Sequence, residues 1–270
     1  DKAQFNPEPV GNGAFIVRNS WGTAWGDGGY FYVSYYDARI GEYCVVFNSA
    51  ETVDNYSYTY AYDHLGWVNN FGNEVAETAW FANIFTALPG HSVTAVGFYA
   101  PAASSVYEVY VYTGVTAGLP LNGTLVSAKA GTLQASGYHT VELSAPVSVS
   151  SGQMFSVAVK LTTPGYTYPV SVEYAIPLYS SAASANPGES FISINGTDWL
   201  DTTGILASMN VCLKAFAVEI PSLPPDQPEN VSPAGGTAGV SITPTLTANS
   251  FSDPEAGVFS FARWRIKKDA

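Results

Sequence analysis

Residues 150–174, SSGQMFSVAVKLTTPGYTYPVSVEY, contain two strand-like runs bounded by turn residues. The runs QMFSVAVKL (153–161) and VSVEY (170–174) are rich in valine and aromatic residues, which favour extended backbone. The pairs SG (151–152) and PG (164–165) are typical of turns, because proline and glycine supply the backbone angles that turns need. The stretch therefore predicts two β-strands joined by a loop.

The same pattern continues on both sides of this stretch. Pairs such as NG at 122–123 and 195–196 separate further runs of strand length. The further runs are residues 92–100, 106–113, 138–144, 190–194 and 211–220. Many short strands at this spacing predict an all-β fold, an antiparallel β-sandwich or jelly roll. Residues 74–87 have partial helical periodicity, and an edge strand is an equal alternative because of their aromatic and β-branched content.

The 270-residue chain is acidic and carries few charges. Charged residues make up 12% of it, and the formal net charge is −12. Because an acidic surface is repelled by phosphates and anionic lipids, neither nucleic acid nor an anionic membrane is expected as a partner. Since no run of about 18 apolar residues occurs, no membrane span is expected. The composition is typical of a secreted or cell-surface protein.

A distinctive stretch lies near the start of the chain: GAFIVRNSWGTAWGDGGYFYVSYYD, residues 13–37. Its strand-like runs, 14–18 and 30–36, flank a turn in which glycines permit a tight chain reversal. The turn region reads NSWG (19–22), WG (25–26) and GY (29–30). This spaced set resembles the region around the active-site asparagine of papain-like cysteine peptidases, and the hairpin then resembles a remnant of their β-barrel half.

The resemblance implies roles for Asn19 and Trp21. In this family a cysteine thiolate attacks the peptide, and a neighbouring histidine acts as its base. An asparagine side-chain oxygen accepts the imidazole N–H and orients the ring, which is the role implied for Asn19. Trp21 is expected to lie over that hydrogen bond and exclude water from it.

The other members of the triad have no counterpart in this sequence. The family's nucleophile lies in a Cys-Gly-Ser/Ala-Cys-Trp/Tyr string, and that string does not occur here. Cys44 and Cys212 lie in strand contexts, where two buried thiols are favoured over a disulfide. The three histidines all follow Asn19, whereas the family's histidine precedes its asparagine. We therefore expect a C-terminal part of a longer protease that is inactive alone, with the upstream protease region of the same polypeptide as partner.

A second resemblance covers most of residues 54–219. It rests on the stretches YDHLGW (62–67), TAWFANIFTA (78–87), YEVYVYT (107–113), residues 150–174, PGESFISINGTDWLD (187–201) and NVCLKAF (210–216). These resemble the lectin-like domain that follows papain-type peptidases in bacteria and archaea. The implied organisation is a peptidase piece at 1–53, a lectin-like jelly roll at 54–219, a Pro-rich linker at 220–229 and a shortened Ig-like or cadherin-like domain at 230–270.

Candidate ligand residues in this domain are aromatic and polar residues near turns. Trp67 and Trp199 are candidates for stacking on a sugar, and Asn195 and Asp198 for binding its hydroxyls. Trp80 is expected in the core. No metal-binding motif is present, so no catalytic metal is expected, although loop carboxylates leave a structural Ca²⁺ as an alternative. The carboxylates available for it are Asp198, Asp201, Glu173 and Glu189.

Three functions follow from these resemblances. The leading one is proteolysis by the parent peptidase, with Asn19 orienting the histidine. The second is an adhesin module that binds a cell-surface glycan or a protein substrate. The third is a structural brace for the protease that binds nothing.

Overall fold

The computed structural model describes residues 1–41, 44–47, 50, 52–220, 226, 229–234, 236–250 and 252. Backbone contacts divide the chain into two units, 1–52 and 53–270. Among the described residues, no helix has the length and apolar character needed to cross a membrane.

The first unit is a short antiparallel pair of strands. After a 3-10 turn at Lys2–Gln4, β1 (Ala14–Arg18) pairs with β2 (Tyr30–Ser34). The reversal between them needs glycine, because Gly26 has a φ of 62° and a Cβ there would collide with the Tyr30 carbonyl oxygen. Of the described residues in this unit, only Gly29 and Ser34 are buried. The hairpin therefore has no hydrophobic core of its own.

The second unit contains fifteen further strands and one 3-10 turn, Thr202–Gly204, in its described residues. They are β3 (Tyr58–Tyr60), β4 (Asn69–Phe71), β5 (Thr78–Thr86), β6 (His91–Ala100), β7 (Ser105–Thr113), β8 (Thr124–Leu133), β9 (Gly137–Ser148), β10 (Met154–Thr162), β11 (Val170–Glu173), β12 (Ser190–Ser193), β13 (Leu200–Asp201), β14 (Asn210–Val211), β15 (Leu213–Glu219), β16 (Asn230–Ser232) and β17 (Thr247–Ala248).

These strands form a sandwich of antiparallel sheets. The larger sheet has the order β13-β12-β5-β10-β7-β8, and the facing sheet has the order β3-β15-β6-β9. A three-stranded sheet, β14-β11-β4, completes the fold. The pairing is antiparallel throughout these three sheets, so the prediction of an all-β sandwich is confirmed.

The core lies between the sheets and is built by alternate residues of each strand. Phe81 and Phe155 project from the six-stranded sheet, while Phe98 and Leu213 project from the four-stranded one. All four are at most 1% exposed. Because side chains alternate along a strand, the even-numbered residues of β5 and β10 project from the opposite, outer face of the larger sheet.

Two expectations about residues 74–87 are corrected by this arrangement. Strand β5 lies in the middle of the larger sheet, between β12 and β10, and is neither helical nor an edge strand. Trp80 lies on the outer face and is partly exposed, so it is not a core residue. The apolar run from Ala79 to Phe85 is explained by a strand that has apolar cover on both faces.

The C-terminal part of the chain is described only in pieces. Strands β16 and β17 pair in antiparallel fashion, as expected of β structure in this segment. Most of the Pro-rich linker predicted at 220–229 lies outside the described residues, as do residues 253–270 of the predicted Ig-like domain.

Candidate functional site

Asn19 lies immediately after β1, where the chain enters the glycine-rich reversal. Its backbone N–H donates to the Gly29 carbonyl at 2.8 Å, which joins the two sides of the reversal. Its side-chain Oδ1 accepts the Ser20 N–H at 2.7 Å and keeps a second lone pair. Asn19 is partly exposed and helps line a pocket of about 380 Å³. The pocket is also lined by Arg18, Ser20, Gly22, Thr23, Gly28 and Gly29.

Trp21 presents its indole to solvent beside this pocket. It is 70% exposed, and its ring meets Trp25 edge-on at 5.1 Å between centroids. Trp25 in turn contacts Phe31 of β2 at 5.6 Å. This chain of edge-to-face contacts fixes the indoles against the hairpin. The asparagine amide and a large apolar surface are therefore presented on the same short turn.

The cysteines are free, and they differ in environment. Cys44 is exposed, which corrects the expectation that both thiols are buried, whereas Cys212 is buried. Burial raises the pKa of the Cys212 thiol well above its ordinary value, and the Asp63 carboxylate adds to this effect. Because the thiolate is the nucleophile, Cys212 is an inert thiol at neutral pH.

The histidines lie in the second unit and have structural contacts. His91 Nδ1 is 2.9 Å from the Tyr60 hydroxyl, and His139 Nε2 is 2.9 Å from the Ala135 carbonyl oxygen. His64 is an exposed residue of a turn. Among the described residues, no hydrogen bond pairs a histidine with a cysteine as base and nucleophile.

A second candidate site lies on the outer face of the six-stranded sheet. We call it the aromatic face and define it by Trp80, Tyr110, Tyr112 and Trp199, all of them partly exposed. Trp80 and Tyr110 stack with centroids 5.6 Å apart and planes at 15°, and Tyr110 lies 6.5 Å from Tyr112. Tyr112 and Trp199 both pack against a small apolar cluster made by Ile84, Val115 and Phe191.

Charged side chains border the stacked pair. Lys160 Nζ is 2.7 Å from a Glu108 carboxylate oxygen and 5.7 Å from the Trp80 ring centroid. The Tyr110 hydroxyl donates to the other oxygen of Glu108. Hydrogen bonds from Lys160 and Tyr110 lower the pKa of Glu108. Burial, with Glu108 nearby, raises the pKa of Tyr110 to about 12, so its phenol remains protonated at neutral pH.

The loop that follows β12 reaches this face and carries two predicted residues. A Cβ at Gly196 would lie 2.8 Å from Trp80 Cε2, so the loop backbone lies against the indole. Asn195 Nδ2 donates to Asp198 at 2.6 Å, and Asn195 Oδ1 accepts the backbone N–H of Asp198 at 2.9 Å. Both side chains are exposed. The structure thus brings Asn195, Asp198 and Trp199 onto one loop beside Trp80.

Trp67 belongs to a different surface. It is 46% exposed, its ring lies 6.1 Å from Tyr99, and its indole N–H donates to Asn70 at 3.0 Å. Tyr99 lies on β6 next to the core residue Phe98 and therefore projects from the outer face of the four-stranded sheet. The sandwich thus separates Trp67 from Trp199, and the two do not form one site.

Four residues at the aromatic face were not predicted from the sequence: Glu108, Tyr110, Tyr112 and Lys160. A signal for three of them is present, because the run VYEVYVYT places positions 108, 110 and 112 on one face of a strand. The partner across the sheet, Lys160, follows only from the register in which it pairs with both Trp80 and Glu108.

The carboxylates named for calcium are engaged in separate contacts. Asp201 accepts backbone N–H groups of Thr203 and Gly188, and Glu189 accepts two bonds from Asn186. Glu173 accepts the Leu65 N–H. Within the described residues, no three His, Cys, Asp or Glu side chains gather closely enough to hold a metal ion. Calcium binding stays a prediction.

Two family models match this chain, one in each unit. Residues 59–217 match the family model described as the lectin like domain, and residues 5–52 match the papain family cysteine protease. The first match spans more than half of the chain, so the chain belongs to the lectin-like domain family. Its N-terminal residues are similar to part of the papain family model. No curated protein matches this chain significantly.

Two solved structures share this fold. The clostridial cysteine protease Cwp84 after propeptide cleavage is 23% identical, with a TM-score of 0.61 over 78% of this chain and 53% of that one. The cysteine protease and lectin-like domains of Cwp84, a surface-layer-associated protein of Clostridium difficile, are 22% identical, with a TM-score of 0.60 over 79% of this chain and 48% of that one. The chain thus spans about half the length of these structures.

Proposed function

We propose that the chain acts as the C-terminal part of a secreted or cell-surface papain-like cysteine endopeptidase. Residues 1–53 supply one wall of its active site, and residues 54–219 form the lectin-like accessory domain, followed by a linker at 220–229 and an Ig-like region at 230–270. The match of residues 5–52 to the papain family supports the first assignment. The likeness to a surface-layer-associated protease supports the location.

The observation that carries this proposal is the environment of Asn19. Its amide lines an open pocket at the rim of a hairpin whose apolar side chains are exposed. Ile16 is 68% exposed and Trp21 is 70% exposed, although side chains of this size normally bury most of their surface. An upstream protease region that covers these side chains would bring its histidine to the pocket.

The chemistry expected of Asn19 is orientation of the base. An amide oxygen accepts the imidazole N–H and selects one tautomer, so the other ring nitrogen faces the thiol. A neutral acceptor adds no second negative charge beside the thiolate–imidazolium pair. Trp21, on the same turn, would shield the hydrogen bond from water and strengthen it in a less polar environment.

The test is Asn19→Ala in the full-length peptidase. We expect kcat/KM for a fluorogenic peptide to fall about 10- to 100-fold, because a misoriented base loses part of the usual gain from proton transfer. Asn12→Ala is the matched control, since Asn12 is an exposed asparagine of the same unit that only accepts the Lys2 N–H. Equal turnover in both variants would show that Asn19 does not orient the base.

A second function is favoured by the aromatic face of the lectin-like domain. Stacked aromatic rings bordered by hydrogen-bonding side chains are the surface that carbohydrate ligands need. The domain would then hold the protease at a glycan or a protein substrate. If the domain is only a structural brace, deleting residues 54–219 should lower the thermal stability of the protease. The domain should then bind no glycan.

A further inference from the structure

We propose that the aromatic face binds a neutral pyranose sugar, which contacts the exposed parts of its rings and places its hydroxyls on the bordering polar groups. The inference deepens the second proposed function and rests on it. The juxtaposition that carries it is the row of Trp80, Tyr110 and Tyr112 on one sheet face, with the Glu108–Lys160 pair and the Asn195–Asp198 loop both beside Trp80.

The row of rings is built into the sheet. Ala158 pairs with Tyr110 on one side and with Ala82 on the other, and both alanines project to the outer face. Each alanine is 0% exposed, so the aromatic rings and neighbouring side chains cover them. Because small residues lie between β5 and β7, Trp80 and Tyr110 can lean together across β10. A rigid platform costs little conformational entropy when a ligand binds.

The polar border supplies both donors and acceptors. Glu108 accepts from Lys160 and Tyr110, and its remaining lone pairs are available to hydroxyl groups. Lys160 also donates, and its ammonium faces the Trp80 ring. On the loop side, Asp198 and Asn195 are exposed and hold each other in place. Such pairs orient the acceptors that distinguish one hydroxyl pattern from another.

Charge selects a neutral sugar over an acidic one. The ammonium of Lys160 is already neutralised by Glu108 at 2.7 Å, and Asp198 adds a negative charge on the loop that follows β12. The chain as a whole has a net charge of −12. An anionic polysaccharide would therefore be repelled, whereas a neutral ring loses no charge solvation on binding.

The test is a titration of the 270-residue chain with cellotetraose, mannotetraose, chitotetraose and, as the acidic comparison, tetragalacturonate. Tryptophan fluorescence and calorimetry report binding. We expect saturable binding of at least one neutral tetrasaccharide and at least tenfold weaker binding of tetragalacturonate. Equal or tighter binding of the acidic sugar would overturn the choice of a neutral ligand, and binding of none of the neutral sugars would overturn the proposal.

Two variants locate the ligand. Tyr110→Ala removes the central ring, and Ala128→Arg places a long cationic side chain beside Tyr110 from the exposed edge strand β8 without removing a core residue. We expect each to weaken binding at least tenfold while the far-UV circular dichroism stays unchanged. The matched control is Trp67→Ala on the other sheet, which should bind as the unchanged chain does.

The results for these variants distinguish a wrong binding surface from a wrong protease proposal. If Trp67→Ala abolishes binding while Ala128→Arg leaves it intact, the domain is a lectin and the aromatic face is the wrong surface. If Tyr110→Ala fails to fold, the Ala128→Arg variant still shows whether the sugar binds at the aromatic face. The titration requires no peptide hydrolysis, so it is independent of the Asn19 experiment. Sugar binding can therefore be measured and interpreted even if the protease proposal is wrong.

Discussion

Glu173 shows how one buried carboxyl makes stability depend on pH. It is 1% exposed at the end of β11, accepts the Leu65 N–H and lies near Asp63, which is also 1% exposed and pairs with Lys214. Burial raises the pKa of Glu173, and the negative charge of Asp63 raises it further, against hydrogen bonds from Leu65, Asn210 and Gly66. Burial also raises the pKa of Asp63, although Lys214 opposes the shift.

We predict that Glu173→Gln gains stability relative to the unchanged chain as the pH rises. A carboxyl whose pKa is higher in the folded state binds more protons there, so its contribution is complete below the unfolded pKa of about 4.3 and is lost as the pH rises through the folded value. The amide has no such loss and can still accept the Leu65 N–H. Urea unfolding from pH 4 to pH 8 measures the difference, with exposed Glu142→Gln as the control for one lost charge. A pH-independent difference would contradict the assignment.

At the scale of elements, β5 carries a side chain that hydrogen-bonds to the facing sheet. Asn83 projects into the core and is 0% exposed. Its Nδ2 donates to the Leu213 carbonyl of β15 in the facing sheet at 2.8 Å, and its Oδ1 accepts the Ser190 hydroxyl of β12 at 2.6 Å. A polar residue in the centre of this strand is tolerated because both of its ends are hydrogen-bonded.

We predict that Asn83→Ala lowers the free energy of unfolding by about 3 kcal/mol, because it removes two buried hydrogen bonds, to the Leu213 carbonyl and from the Ser190 hydroxyl, and opens a small cavity. Thermal or urea unfolding of the 270-residue chain measures it. Asn186→Ala is the control, since this exposed asparagine donates to the Glu189 carboxylate at the surface and should change stability by less than about 1 kcal/mol. A loss of similar size in both variants would show that the inter-sheet bond is unimportant.

Many of the strands were predictable, whereas β8 and the positions of the strands in the sheets were not. Valine-rich runs such as 153–161 identify β10 from local preference alone. The central position of β5 depends on pairing with β10 and β12, which are more than 60 residues away in sequence, so no local pattern reports it. Trp80 was misplaced for the same reason, because apolar residues on both faces of β5 remove the alternation that would identify the outer face.

Of the two candidate sites, the one at Asn19 follows from a local motif, whereas the aromatic face depends on the register of distant strands. Asn19 is recognisable because its motif is contiguous, and its glycines have the positive φ angles that the reversal requires. The aromatic face combines residues from β5, β7, β10 and the loop after β12. Of these, the sequence identified only the loop residues Asn195, Asp198 and Trp199, since turn residues stand out without knowledge of the register.

At the scale of the whole molecule, we predict that the 270-residue chain neither hydrolyses a fluorogenic peptide nor reacts rapidly with an epoxysuccinyl inhibitor. Cys212 is buried with a raised pKa, and Cys44 has no histidine beside it in the described contacts of its unit. A thiol without a base is a weak nucleophile at neutral pH. Mass spectrometry after incubation at pH 7 measures labelling, with denatured chain as the positive control for ordinary thiol alkylation. The longer polypeptide that includes the upstream peptidase region should react at its own cysteine, and rapid labelling of Cys44 in the 270-residue chain would show that this unit carries a nucleophile of its own.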